Sequence, residues 1–184
     1  MTRLRNPLRA ALPSIGGLWL LLAASAVAAR HPLATVDPAA VCHDSIQAAA
    51  VAGLLAAIAK SRRVEYGGAV FQRDVRCFLH SIPVTSNRPS QLEYRVQAAR
   101  RDLVLVGIFH THTPGRYAHQ FSERDVAVQR QLGVTSWLGT LDGGGRHLTI
   151  RSLQGAGHSQ IVSLDLPNQA GRQPAVARSD LTFR

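Results

Sequence analysis

The strongest apolar run downstream of residue 30 is Leu103 to Phe109, LVLVGIF, and it has no polar position on either face. Such a run predicts a central strand covered on both sides, over about residues 102–112. Upstream, residues 39–63 are Ala-rich, and Val41, Ile46, Ala50, Leu54 and Ala57 recur near a helical period. A helix over 38–61 follows, with Asp37 as N-cap, Pro38 at the first helical position and basic residues at the end. Residues 64–71, VEYGGAVF, predict a strand with a glycine pair inside it, the mark of a bulge or of a close approach to the backbone. A second strand over 75–84 completes a hairpin turning at Gln72-Arg73-Asp74. Residues 85–92 form a loop, and 93–101 predict a short helix. After a loop at 113–120, Ser122 opens a helix over 123–132 that Gly133 stops. Strands over 134–141 and 146–153 flank an Asp-Gly-Gly-Gly turn, and 161–166 add an edge strand. This order predicts an α/β sandwich around a mixed sheet, occupying residues 38–166. An arm at 30–37 and a Gly-, Ser- and Pro-rich tail at 167–184 flank it.

At 184 residues and 46% hydrophobic, the chain suits one globular domain; aromatics at 5% leave the core to Val, Leu, Ile and Ala. The net charge of +10 must first be corrected for the leader. Arg3, Arg5 and Arg9 precede an apolar stretch from Ile15 to Val27, which ends in Ala26-Val27-Ala28. That is the pattern of a signal peptide over residues 1–29, so the mature protein is expected in the periplasm or outside the cell. A single membrane anchor is the alternative, though the apolar run is short for a full span. Losing three arginines and no acid lowers the charge to +7. The remaining arginines are scattered and not interleaved with aromatics, so no specific nucleic-acid partner is expected. Cys42 and Cys77 are the two cysteines. Export favours a bridge between them, contributing on the order of 3 kcal/mol, over two reduced buried thiols.

The candidate chemistry lies where the central strand ends. His110 and His112 are two apart and share one side of a strand. Asp125, in the first turn of the next helix, can join them as a third ligand. Two imidazoles and a carboxylate suit zinc and leave a fourth position for water, as in catalytic sites. Ser122 and Asp125 also fit an ordinary capping box, and both roles can hold together. Glu65, within an apolar stretch where an unpaired carboxylate is costly, is the candidate base. An edge-strand Glu facing solvent is the alternative. His119, in the loop, is a possible substitute ligand, with solvent exposure its default.

A glutamate on an early strand, then His-x-His, then Ser-x-x-Asp resembles the JAMM (JAB/MPN) metalloproteases. EYGGAVF and HTH…FSERD look closest to an uncharacterised bacterial domain of that type, found in Rhs and other polymorphic-toxin-related proteins. The resemblance covers residues 39–153. It implies a JAB/MPN fold, similar to the cytidine deaminases, with mixed sheet and flanking helices. It also implies zinc held by His110, His112 and Asp125, Glu65 as general base, and an oxyanion contact from Ser122. Nine residues separate His112 from Ser122 where the family has seven, and Thr113 stands where proline is usual.

The resemblance implies metal-assisted hydrolysis of a peptide or isopeptide bond, in cell-wall peptide cross-links or in a protein of a target cell. The competing expectation is a non-catalytic binding module of the same shape. A deaminase fits poorly, because His-x-Glu and Pro-Cys-x-x-Cys are both missing.

Overall fold

The computed structural model describes residues 31–61, 63–88, 91–98, 100–115, 117–155 and 157–166, with backbone alone at 158–162. The expected leader at 1–29 and tail at 167–184 lie outside them. The described residues from Pro32 onward belong to one compact unit. Its strands are β1 (Leu33–Ala34), β2 (Gly67–Asp74), β3 (Cys77–His80), β4 (Arg95–Val96), β5 (Val104–His112), β6 (Thr135–Leu141), β7 (His147–Gln154) and β8 (Gly157–Asp165). Two helices, α1 (Ile46–Ile58) and α2 (Glu123–Leu132), complete the set among the described residues.

Six strands make one mixed sheet in the order β3-β2-β5-β6-β7-β8, antiparallel except at β5–β6. A parallel pair needs a crossover, and α2 provides it. The apolar run therefore does become an interior strand, with β2 on one side and β6 on the other. Its carboxyl end, where the histidines sit, opens at the crossover, the place where open α/β sheets form crevices.

Helix α1 is apolar all round and buries Ala49, Ala50, Val51, Leu54, Ala57 and Ile58 against Val70, Phe109, Trp137, Leu148 and Ile150. Full burial of Leu54 alone is worth roughly 1.5–3 kcal/mol. Gly53 allows the contact: a Cβ there would lie 2.6 Å from the Phe109 ring. Since Phe109 faces α1, the neighbouring His110 faces the opposite side. There Asp125 of α2 meets it, so the two helices cover opposite faces of the sheet.

Several boundaries differ from expectation, each for a tertiary reason. The first helix begins at Ser45, not Asp37; the Ser45 hydroxyl accepts from Ala48 N at 3.1 Å. Cys42 is bridged to Cys77, and His43 exchanges backbone hydrogen bonds with Phe78. Residues 42–43 are thereby drafted to the sheet edge, and Asp37 caps only a local turn through Ala39 N. Strand β2 starts at Gly67, so Glu65 precedes the strand instead of lying inside it. The hairpin turns at Val75-Arg76, because Asp74 still pairs with Cys77. The helix expected over 93–101 is absent from the described part of that range. Arg95–Val96 pairs in parallel with Leu33–Ala34, which also builds the expected arm into the fold. Strand β8 begins earlier than expected, pairing with β7 along its length. Helix α2 keeps its expected bounds: Ser122 caps it and Gly133 ends it in the left-handed region at φ 66°. No helix among the described residues is long and apolar enough to cross a membrane.

Candidate metal centre

His110 and His112 leave the same face of β5, and α2 brings Asp125 over them. His110 Nε2 lies 3.2 Å from His112 Nε2 and 3.3 Å from Asp125 Oδ1. His112 Nε2 lies 3.5 Å from Asp125 Oδ2. Two donors sharing one four-coordinate ion at about 2.0–2.1 Å sit roughly 3.3 Å apart. The two imidazole nitrogens meet that spacing, and each lies near a different oxygen of Asp125. With one ligand atom from each residue, the three donors lie within 4.8 Å of one another and form a group that could hold a metal ion.

The surroundings aim the donors. His112 Nδ1 is 2.9 Å from the Ala118 carbonyl, which can only accept, so Nδ1 carries a proton. In the neutral ring, Nε2 then turns its lone pair toward the group, the usual outer-shell arrangement of a metal-binding histidine. The edge of the Phe121 ring rests against His110, with centroids 6.0 Å apart. Asp125 sits in a reciprocal capping box. Its Oδ2 accepts from Ser122 N and Ser122 Oγ, each at 2.7 Å, and its N–H donates to Ser122 Oγ at 3.2 Å. The Ser122 hydroxyl proton is thus engaged with Asp125.

Charge is concentrated here. Burial opposes ionisation of Asp125, but hydrogen bonds from His110, His112 and Ser122, with the charge of His110, outweigh it and hold the carboxyl far below its ordinary range. Burial likewise opposes charging of His112; Asp125, Glu65 and the Ala118 carbonyl overcome it, and the net shift is upward. Glu65 is 9% exposed, and burial raises its pKa against the pull of His112 and His110, with Asp125 adding to the rise.

Glu65 lines the same cleft as His110, His112, Ser122 and Asp125, a space of about 520 Å³. Its placement rests on Thr111, which sequence reasoning passed over. Thr111 lies between the two histidines but points to the other face, fully buried. Tyr66 N donates to Thr111 Oγ1 at 3.0 Å, and Thr111 N donates to Tyr66 O at 2.8 Å. The Ser61 hydroxyl donates to Val64 O at 3.1 Å, so it accepts from Thr111. This chain ties both sides of Glu65 to β5. The one available signal was a polar residue on an otherwise apolar strand face.

The glycine pair has its reason here too. A Cβ on Gly67 would lie 2.5 Å from Leu92 and 2.8 Å from Tyr94 on the cleft side; one on Gly68 would lie 2.4 Å from Phe109 on the α1 side. Tyr94, whose hydroxyl donates to Gly68 O at 2.9 Å, had no sequence signal. Burial, with Asp125 adding, raises its pKa beyond the usual tyrosine range and keeps it neutral. His119 is exposed and lines a separate depression, away from the three donors. A larger cleft of about 820 Å³ has no His, Cys, Asp or Glu among the described residues of its lining. No protein-family model and no curated protein sequence matches the chain.

Proposed function

We propose that this protein is an exported, zinc-dependent hydrolase of the JAMM type, acting on a peptide or isopeptide bond, cell-wall peptides included. The observation that carries the reading is the meeting of Glu65 with His110, His112 and Asp125 in one cleft. Those residues come from the segment before β2, the end of β5 and the start of α2. The mixed sheet with a helix on each face is compatible with a JAB/MPN-like fold. The Cys42–Cys77 bridge accords with an oxidising compartment.

His110, His112 and Asp125 would hold zinc, whose nitrogen and oxygen preferences match this donor set. When bound, zinc polarises a carbonyl and lowers the pKa of a water to about 7. Glu65 would take the water proton on its carboxylate and return it to the leaving amine. Its burial raises its basicity toward the working pH. Leu92, Tyr94 and Phe121 line the same cleft. Ser122 Oγ positions Asp125 in this structure; contact with a developing oxyanion requires its proton to turn away from Oδ2.

That engagement of Ser122 is the feature favouring the second reading, a binding module that keeps the shape without turnover. Glu65→Gln separates the two. The variant is expected to retain the wild-type metal content and lose at least about a hundredfold in hydrolysis of wall fragments or isopeptide-linked proteins. Equal hydrolysis by both proteins would remove Glu65 from the mechanism.

A further inference from the structure

Resting on the reading above, we infer that the cleft beside the donor group is a specificity pocket for an apolar side chain next to the reacting bond. Its walls follow from the fold. Ile108 lies two residues before His110 on the same strand face, and its partner across β5–β6 is Ser136. Val128 lies three residues after Asp125, on the same side of α2. The cleft therefore continues from the histidines under α2, floored by Ile108 and Ser136 and roofed by Val128. Leu92, Tyr94 and Phe121 close its sides.

Its charge inventory is as telling as its shape. Among the described residues, apart from Glu65 and the donor group, the one formally charged residue in the lining is Arg124. Arg124 Nη2 is 2.7 Å from Glu93 Oε1, which links the loop bearing Leu92 and Tyr94 to α2. A carboxylate entering the cleft would have to compete with Glu93 for that cation. An ammonium would have no carboxylate there except the two assigned to chemistry. An aliphatic or aromatic group gains burial without either conflict. Val128 itself is 38% exposed, so its side chain is open to solvent rather than packed in the core.

The test is calorimetric binding of hydroxamates to the zinc-loaded chain from residue 30, which needs no turnover. Acetohydroxamate, with no side group, reports the metal grip alone. Isocaproyl hydroxamate adds an aliphatic group, succinyl hydroxamate a carboxylate and aminobutyryl hydroxamate an ammonium. The isocaproyl compound is expected to bind at least about tenfold more tightly than either charged one. Val128→Asp, at a partly exposed position, is expected to abolish that preference and leave acetohydroxamate affinity unchanged. Equal affinities, or preference for a charged compound, overturn the pocket assignment while leaving the metal reading standing. No zinc uptake and no acetohydroxamate binding overturn both.

Discussion

Thr111→Val is the sharpest test of how the fold sets Glu65. Valine matches threonine in shape and suits a strand, so the substitution removes a hydroxyl and leaves packing intact. That hydroxyl is fully buried, accepts from Tyr66 N at 3.0 Å and donates to Ser61 Oγ. Losing it leaves the part-buried Tyr66 N–H without its acceptor, at about 1–3 kcal/mol. Losing the second, neutral hydrogen bond costs about 1 kcal/mol more. The sum is roughly 2–4 kcal/mol of folding stability. Urea unfolding measures it as a lower midpoint with unchanged slope. Thr111→Ser restores the hydroxyl and is expected to recover most of the hydrogen-bond part. A valine variant within about 0.5 kcal/mol of wild type would mean that the Ser61–Thr111–Tyr66 chain does not hold the segment.

Other consequences follow from the same geometry. Cys42 and Cys77 close a loop of 35 residues, so replacing both with serine is expected to lower unfolding stability by about 2–4 kcal/mol; an unchanged midpoint would contradict this. In metal-free protein, the raised pKa of His112 contributes stability that is fully present below about pH 6.5 and is lost as pH rises through the folded value. A pH series of thermal midpoints without zinc reads it, and His112→Ala should flatten that part of the curve. A ligand nitrogen must be unprotonated, so zinc uptake near neutrality is expected to release a proton and to tighten with pH. Calorimetry in buffers of different ionisation enthalpy counts that proton; zero release would contradict a raised His112 pKa in the metal-free protein.

Much of the fold was legible because its signals are local. The run LVLVGIF is apolar at every position, and only an interior strand satisfies that. Ser122 and Gly133 bracket α2 with chemistry that acts within a turn of the chain. Misplaced boundaries came from long-range pairing. Nothing near Asp37 shows that Cys42 and His43 are held at the sheet edge by Cys77 and Phe78. Tyr94 and Val96 have ordinary helical propensity, yet Gly67 opens a slot that Tyr94 fills, and β1 claims Val96. At the centre, spacing put His110 and His112 on one face. Only tertiary structure could bring Asp125 within 3.3 Å of His110, or place Glu65 in their cleft from before the strand where it was expected.

Metal analysis of the purified chain from residue 30, loaded with excess zinc and desalted, tests the central claim most directly. About one zinc ion per chain is expected in wild type, with Asp125→Ala and His112→Ala retaining almost none. A folded wild-type protein that keeps no zinc, or variants that keep as much as it does, would contradict the account.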